Sequence, residues 1–350
     1  MAHSLSRRDF IHRAKGVALA TPFISLVGCG EESVRDLLSL GGQTMGTTYS
    51  VKLVNVPTDL DQDTLAQELD GILETVNRRM STYRPDSELS RYNAAAAEDW
   101  LAVSSDTRSV IDEALRVARL TGGAFDPTVG PVVDLWGFGA AGKGQHVPSP
   151  EDIAAARETI GFAKVETRDA PAQLTKLQDG VRLDLSGVAK GFAVDKLAAH
   201  LDAQGMTDYL VEVGGELRTG GHGPEGRPWR VGIEKPTMAP GDLQRIVDLE
   251  RDALATSGNY RIFFEQDGRR YTHIVNPRNC RPVEHDLASA TVVAATTMEA
   301  DALSTSLLVL GPEAGMELAV EQDIAAFFVV GRDGSFSEMA APAFERRFTA

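Results

Sequence analysis

The chain has 350 residues, of which 43% are hydrophobic and 24% are charged, a composition typical of a globular protein with one large or two medium domains. Its formal net charge of -15, and the lack of a basic stripe with interleaved aromatic residues, argue against nucleic-acid binding. The two cysteines, Cys29 and Cys280, stand in such different contexts that we expect no disulfide framework.

The N-terminus has the pattern of an export signal. Arg7 and Arg8 form a pair within SRRDFI, and an apolar run follows over residues 16–27. That run is shorter than the about 20 residues that a membrane-spanning helix needs. A basic segment, a short apolar segment and an end rich in small residues are typical of a signal peptide. The arginine pair indicates the twin-arginine route, which exports folded proteins.

The end of this segment, LVGC, resembles a lipobox, in which the cysteine becomes the lipidated first residue of the mature chain. The alternative is a plain signal peptide, or an uncleaved anchor, with a chance cysteine. We predict a twin-arginine signal peptide with a lipobox over residues 1–28, lipidation at Cys29, a tether over residues 29–40 and a folded domain over residues 41–350. The protein would then be exported to the periplasmic side as a membrane-anchored lipoprotein.

The first half of the folded part contains clear periodic patterns. Alternating apolar residues predict a strand over residues 49–54, and helical periodicity predicts an amphipathic helix over residues 61–80. A second helix is predicted over residues 105–121. A Gly/Pro-rich loop over residues 139–150 precedes a short helix near residues 151–159.

The second half mixes strands with helices. The predicted elements are a strand over residues 180–187, a helix over 188–205 that Gly205 ends, strands over 209–215 and 229–235, and hairpins over 261–275 and 325–339. Because no strict βαβ alternation appears, the order favours an α+β fold with largely antiparallel sheets packed with helices.

A helix near the C-terminus carries two polar residues on one face. Thr296 and Glu299 are spaced as in a capping box, which predicts that the helix begins just before Met298. Asp301 and Thr305 lie four residues apart on this Ala/Leu-rich helix, so they share a face. The pattern alone leaves two interpretations open: a local role for Asp301 at the helix dipole, or a pair of metal ligands.

Three further positions are candidates whose simplest roles are structural. Asp184 precedes the turn Ser186-Gly187 at a predicted strand–helix junction, which is suited to an anion, yet a capping role is the more usual one. Asp126 precedes Pro127 between glycines and fits an Asx-type turn. His273 ends a predicted strand just before a loop.

Eight motifs that follow one another along the chain connect these residues to one function. They are TMGTTYS, STYRPDSELSRYN, GGAFDPTVGP, LDLSGVAKGFAVD, VEVGGELRTGG, ATSGNYRIF, YTHIVNPRNCRPV and MEADALSTSLLVLG. From about residue 41 to the C-terminal hairpin, the chain resembles the FAD:protein FMN transferase family, known as ApbE, as an exported twin-arginine and lipoprotein-type member. The resemblance implies a T-fold-like single catalytic unit. It also implies an enzyme that transfers the FMN half of FAD, through a phosphoester bond, to a Ser or Thr hydroxyl of a target flavoprotein, with Mg²⁺ bound and AMP released.

The resemblance also implies site residues. FAD contacts are expected from Met45, Tyr83, Ala124, Phe125, Asp126, Asp184, Lys190 and Ile274. At the position of Lys190, many relatives carry an acidic residue or another side chain. The metal is expected at the side chains of Asp301 and Thr305 and at main-chain oxygens of Gly187 and Ser304. One carboxylate and one hydroxyl suit the sparse protein ligand set that Mg²⁺ takes beside substrate phosphates.

The acceptor hydroxyl needs a base. We hypothesise that His273 is the general base, because an unperturbed histidine pKa of about 6.5 suits proton transfer near neutral pH. Asp184 is the runner-up.

The expected partners are FAD, a membrane through the lipid anchor, and an acceptor flavoprotein subunit of a membrane electron-transfer or respiratory system. Acceptors of this family carry an Asp-Gly-x-Ser/Thr-Gly-Ala-Ser/Thr-like segment. This chain lacks one and so resembles the modifying enzyme. Two alternatives remain: a Mg-dependent FAD pyrophosphatase that yields FMN and AMP, and a non-catalytic flavin-binding lipoprotein.

Overall fold

The computed structural model describes residues 35–140, 144–237, 241–332 and 334–348. The predicted signal peptide, the arginine pair and Cys29 lie outside these ranges. Across the described ranges, no helix is both long enough and apolar enough to cross a bilayer.

The described residues form seventeen strands and nine α-helices. The strands are β1 (Leu37–Thr44), β2 (Thr47–Val54), β3 (Leu101–Ala102), β4 (Val165–Arg168), β5 (Gln173–Lys176), β6 (Tyr209–Val213), β7 (Glu216–Gly220), β8 (Trp229–Glu234), β9 (Leu243–Leu249), β10 (Ala253–Gly258), β11 (Phe263–Gln266), β12 (Arg269–Thr272), β13 (Val275–Asn276), β14 (Arg281–Pro282), β15 (Leu287–Ala294), β16 (Ala325–Arg332) and β17 (Ser335–Ala340). The helices are α1 (Gln62–Met80), α2 (Glu88–Ala94), α3 (Ser105–Leu120), α4 (Gly130–Leu135), α5 (Pro150–Glu158), α6 (Ala189–Ala203), α7 (Thr297–Leu310), α8 (Pro312–Glu321) and α9 (Pro342–Phe348).

An eight-stranded sheet forms the centre of the protein. Its order is β1-β2-β6-β7-β10-β15-β16-β17, and every neighbouring pair is antiparallel. Helices α6 and α7 pack on one face, with α1 and α3 packed against them. The β8–β9 hairpin and α9 pack on the other face, around Phe327 and Phe344. This arrangement confirms the predicted α+β fold.

A smaller lobe lies outside the central sheet and is built from two segments of the chain, one before β6 and one after β10. It contains α4, α5 and the short hairpins β11–β12 and β13–β14. Its own apolar cluster includes Trp136, Phe138, Phe264 and Val275. The indole N–H of Trp136 donates to the backbone oxygen of Cys280 at 2.9 Å, and Cys280 itself is a buried free thiol.

Two predicted helices form as the periodicity indicates. Asp61 caps α1 by accepting from the backbone N–H groups of Asp63 and Thr64, and the apolar face of that helix is buried in the main core. Thr296 caps α7 by accepting from the N–H of Glu299 at 3.2 Å. The side chain of Glu299 pairs with Arg116.

The predicted strand over residues 180–187 is wrong, although its alternation is real. Val181, Leu183 and Leu185 are each at most 1% exposed, but the segment is a loop with one isolated bridge, from Arg182 to Val129. The side chain of Asn93 satisfies both backbone groups of Leu183. A side chain therefore replaces the neighbouring strand that the pattern suggested.

The boundary between tether and domain also differs from the prediction. Residues 37–40, placed in the tether, belong to β1, where Leu37 pairs with Val54 and Leu40 with Val51. As an edge strand, β1 is paired on one side only, and its residues alternate between exposed and half-buried. That pattern is weaker than that of a strand with a fully buried face.

Helices α6 and α7 approach each other so closely at Gly191 that an added methyl group should destabilise the fold. A Cβ at Gly191 would lie 2.3 Å from the backbone oxygen of Thr297, so the helices must separate. Helix propensity favours alanine over glycine by about 1 kcal/mol, but overpacking costs roughly 1–3 kcal/mol or more. We expect Gly191→Ala to lower the free energy of unfolding by about 1–2 kcal/mol in urea denaturation.

Gly71 in α1 is the matched control, because a Cβ there meets no heavy atom within 4 Å. Gly71→Ala should raise the free energy of unfolding by up to about 1 kcal/mol. A gain of similar size from Gly191→Ala would contradict the close crossing of α6 and α7.

Candidate functional site

Several of the predicted site residues lie at one end of the central strands of the sheet. Tyr49 pairs with Val213, so the β1–β2 turn that carries Met45 lies beside the β6–β7 turn. Leu254 pairs with Leu217, which places the end of β10 and the start of β7 at this same end of the sheet. Residues that are far apart in sequence therefore meet here through strand register.

Asp301 is the most deeply buried carboxylate at this end of the sheet, with 1% of its surface exposed. Its Oδ2 atom accepts a hydrogen bond from the backbone N–H of Gly191 at 3.0 Å. Its Oδ1 atom lies 3.7 Å from Nζ of Lys190. Burial raises the pKa of Asp301, while Lys190 and the Gly191 N–H oppose the rise.

Lys190 is shared between two carboxylates. Its Nζ atom lies 3.2 Å from Oε1 of Glu216 and donates to the backbone oxygen of Ser186 at 3.3 Å. Burial alone would lower the pKa of Lys190, but Asp301 and Glu216 raise it above its ordinary value. Burial raises the pKa of Glu216 to about 8, with Asp301 adding to the rise and Lys190 opposing it. Two carboxylates and one ammonium thus share one largely buried site.

A chain of hydroxyl groups continues this site along α7. The hydroxyl of Ser257, near the end of β10, lies 2.9 Å from that of Ser304 and 3.0 Å from that of Thr305. The hydroxyl of Ser304 donates to the backbone oxygen of Asp301 at 3.0 Å. A Cβ on Gly187 would lie 3.3 Å from Oγ1 of Thr305, so the backbone of Gly187 is adjacent to this hydroxyl.

These oxygens fit a magnesium ion better than a metal that needs an all-protein cage. No group of three or more His, Cys, Asp or Glu side chains suited to a metal occurs in the described ranges. Mg²⁺ commonly takes one or two carboxylates and completes its shell with water and phosphate oxygens. The Asp301 carboxylate and the Thr305 hydroxyl are oxygens of the kind that such a partial set uses.

The loop after α3 lies beside this cluster. A Cβ on Gly187 would lie 3.2 Å from the ring of Phe125, and Ala124 is buried next to it. The backbone N–H of Asp184 donates to the oxygen of Pro127 at 2.7 Å. The predicted FAD residues of this loop and of the 184–190 segment are therefore neighbours.

Both aspartates of this region take part in local turns. Oδ1 of Asp126 accepts from the N–H and the hydroxyl of Thr128, and Oδ2 accepts from the N–H of Phe162. Burial raises the pKa of Asp126, and these hydrogen bonds oppose the rise. Oδ1 of Asp184 accepts from the N–H of Ser186 at 2.8 Å. The Asx-type interpretation of Asp126 is confirmed, and the carboxylate faces a small cleft of about 230 Å³ that Arg157 and Arg278 also line.

His273 lies in the smaller lobe and outside the buried cluster. Its Nδ1 atom is 3.2 Å from the backbone oxygen of Ile262, and its ring packs edge-on against Phe138. Since a carbonyl can only accept, Nδ1 donates and Nε2 carries the lone pair that a base needs. The next residue, Ile274, packs against the main core, and β13 contacts α7.

The two remaining predicted FAD residues differ in burial. Met45 has a φ of 49° in the β1–β2 turn and packs against the main core. Tyr83 follows α1 and is 55% exposed, so it lies outside the buried cluster. A larger groove of about 380 Å³ runs beside α1 and α6, and none of the predicted site residues lines it.

Three functional candidates had no role in the sequence analysis. Glu216 and Ser257 stand in motifs that carried the family resemblance, which was the only signal available for them. Asp195 of α6 caps α7 by accepting from the N–H groups of Thr297 and Met298, and it pairs with Arg218 at 2.7 Å. It thereby fixes the start of the helix that carries Asp301.

Known proteins are similar to this chain in fold and in sequence. An FAD:protein FMN transferase from Vibrio cholerae serotype O1 is 43% identical over 329 residues, which cover 94% of this chain and 97% of that protein. The solved flavin transferase ApbE from Vibrio cholerae aligns with a TM-score of 0.83 at 42% identity, covering 90% of this chain and 100% of that one. The apo form of the Pseudomonas stutzeri flavinyl transferase ApbE aligns with a TM-score of 0.83 at 40% identity, covering 90% of this chain and 98% of that one. Residues 45–328 match the ApbE family, and the chain therefore belongs to that family.

Proposed function

We propose that this protein transfers the FMN moiety of FAD to a Ser or Thr hydroxyl of an acceptor flavoprotein, with Mg²⁺ bound, and releases AMP. The activity is that of the relatives named FAD:protein FMN transferase, which align over nearly the whole chain. The observation that supports the metal site best is the cluster of the buried Asp301 with the half-buried Thr305 and Gly187 beside Lys190. Such a cluster of oxygens and one ammonium suits a pyrophosphate.

The proposed reaction exchanges the phosphoanhydride bond between the two halves of FAD for a phosphoester bond to the acceptor. The acceptor oxygen forms a bond to the phosphorus of the FMN half, and the bond from that phosphorus to the oxygen bridging it to AMP breaks. The acceptor proton goes to Nε2 of His273, and AMP leaves with the bridging oxygen. A bound Mg²⁺ supplies positive charge that offsets the charge on the phosphoryl oxygens.

The chain's own residues position the donor. In the proposal, FAD is held by Met45, Tyr83, Ala124, Phe125, Asp126, Asp184, Lys190 and Ile274. The ammonium of Lys190 adds a cation beside the pyrophosphate, and the positive end of the α6 dipole favours an anion there. Asp184 remains the alternative base.

A comparison of AMP release with and without an acceptor tests transfer against hydrolysis. With FAD and Mg²⁺ alone, a transferase should release AMP slowly, and an added acceptor domain should raise the rate and gain FMN. Equal and rapid AMP release in both reactions would identify an FAD pyrophosphatase. Tight FAD binding with no AMP in either reaction would identify a flavin-binding lipoprotein.

Replacing Thr305 with valine should weaken metal-dependent transfer without unfolding the protein. Valine keeps the shape of threonine but removes the hydroxyl that lies 3.0 Å from Ser257. We expect the Mg²⁺ concentration for half-maximal transfer to rise by roughly 10-fold, the scale of a lost weak metal ligand or supporting contact. Thr75→Val in α1, where the hydroxyl donates to the backbone oxygen of Gly71 and accepts from Arg78, is the matched control. An unchanged Mg²⁺ requirement in Thr305→Val would remove the Thr305 hydroxyl from the metal site.

We also propose export by the twin-arginine route and anchoring through Cys29. The supporting observations are the arginine pair and the lipobox-like LVGC. Residues 30–36, which separate Cys29 from β1, can span at most about 25 Å when fully extended, so a lipid at Cys29 would keep the enzyme close to the membrane surface. The acceptor would then be a flavoprotein subunit of a membrane electron-transfer or respiratory system.

Inhibition of lipoprotein processing tests this anchor. Cells treated with globomycin should accumulate an unprocessed precursor that is larger than the mature protein on a gel. Cys29→Ser should abolish labelling of the protein by a fatty-acid analogue. Normal processing under globomycin would contradict lipidation at Cys29.

A further inference from the structure

The oxygen of Asp301 that remains for a cation is also the oxygen that faces an ammonium. Oδ2 of Asp301 accepts from the Gly191 N–H, whereas Oδ1 lies 3.7 Å from Nζ of Lys190. An ammonium this close to a carboxylate oxygen repels a second cation at the same atom. Lys190 and a divalent cation therefore compete for Asp301.

Glu216 offers the ammonium another position. It is 4% exposed, its Oε1 atom lies 3.2 Å from Nζ of Lys190, and its Oε2 atom has no hydrogen-bond partner among the described residues. A buried acceptor without a donor is costly. A small shift of the lysine towards Glu216 would satisfy Oε2 and free Oδ1 of Asp301.

The surroundings of Lys190 allow such a shift. About a quarter of its side chain remains exposed, at 26%, so the side chain is not fixed on all sides. Its Cδ atom lies beside the β6–β7 turn, where a Cβ on Gly214 would be 3.4 Å away. The chain continues from that turn directly to Glu216. The aliphatic part of the Lys190 side chain therefore already lies on the side towards which the ammonium would move.

We propose that Glu216 is a positioning residue that holds the Lys190 ammonium away from Asp301 when a divalent cation binds, so that the pair sets the cation affinity of the site. The inference rests on the proposed metal site at Asp301. It assigns Glu216 no direct bond to the metal. Lys190 acts as an internal competitor, and Glu216 accepts the competitor once it is displaced.

The test measures Mn²⁺ binding to the full chain without FAD, from the electron paramagnetic resonance signal of free Mn²⁺. Lys190→Met/Glu216→Gln should bind Mn²⁺ at least about 10-fold more tightly than the wild type, because the competing ammonium is gone. The variant removes the ammonium together with the carboxyl group that is proposed to receive it. Replacing both partners also avoids the isolated buried charge that destabilises single variants.

The single variants should change affinity in opposite directions. Glu216→Gln should weaken Mn²⁺ binding by about 5-fold or more, because the displaced ammonium finds no carboxylate. Lys190→Met should tighten it, whereas Lys190→Arg, which keeps the charge, should not. A double variant that binds no more tightly than the wild type would overturn the inference, as would an unchanged affinity in Glu216→Gln.

Asp301→Asn separates this inference from the proposed function. If Asp301→Asn loses Mn²⁺ but the double variant shows no gain, the metal site stands and the competition between Lys190 and the cation fails. If Asp301→Asn binds Mn²⁺ as the wild type does, the proposed metal site itself fails. Thermal unfolding of each variant in metal-free buffer, recorded first, shows that the protein under titration is folded.

Discussion

Asp301→Asn should reduce FMN transfer by about 10²- to 10³-fold, equivalent to about 3–4 kcal/mol of transition-state stabilisation. The substitution removes the negative charge that is proposed to hold the cation. It keeps an oxygen that can accept the hydrogen bond from the Gly191 N–H. The loss should appear in kcat, and raised Mg²⁺ should restore it only in part.

We expect Asp301→Asn to remain folded, because the charges that are left in the site still balance. Without Asp301, Lys190 still faces Glu216, so one ammonium and one carboxylate balance each other in the buried site. Thermal unfolding should therefore begin at or near the wild-type temperature. Asp286→Asn, which affects an exposed ion pair with Arg332, is the matched control and should leave transfer unchanged. Full activity in Asp301→Asn would contradict the assigned metal site.

His273→Ala should lower the rate of transfer by about 10²- to 10⁴-fold, the usual contribution of a general base. FAD affinity should change little, because the proposed role of this ring concerns the acceptor proton. The hydrogen bond from Nδ1 to the oxygen of Ile262 leaves the lone pair on Nε2, the tautomer that can take a proton. Added imidazole should restore part of the rate, and it should not do so for Asp301→Asn.

Asp184→Asn tests the other candidate base. Asparagine can still accept from the Ser186 N–H as Asp184 does, so the local turn should remain. If Asp184→Asn costs far more than His273→Ala, the base is Asp184. His200→Ala controls for the loss of an imidazole, since His200 bonds Glu68 on α1 and lies beside the groove that contains no predicted site residue.

The sequence predicted best where the signal was local. The spacing of Asp301 and Thr305 on one helix, and the cap at Thr296, depend only on residues within two turns of α7, and both appear in the structure. The loop over residues 180–187 shows the limit of such reasoning. Its alternating burial is that of a strand, yet its backbone partners come from Asn93 and Pro127, which no local pattern can reveal.

Which residues form the cluster around Asp301 could not be predicted from the sequence for a related reason. Three of its residues lie on different elements: Glu216, Ser257 and Lys190. They meet because antiparallel register brings the start of β7 and the end of β10 to one end of the sheet. The family resemblance named Lys190 without showing that a second carboxylate competes for it. The geometry changes its interpretation from a simple FAD contact to a cation shared with the proposed metal site.

FMN transfer can be measured from the intact mass of an acceptor flavoprotein domain that is produced together with this protein in the presence of FAD and Mg²⁺. We expect a mass increase equal to one esterified FMN on a Ser or Thr of the acceptor. The increase should be absent with Asp301→Asn. Acceptors that carry the expected sequence segment and keep their unmodified mass, with folded wild-type protein that binds FAD, would contradict FMN transfer by this protein.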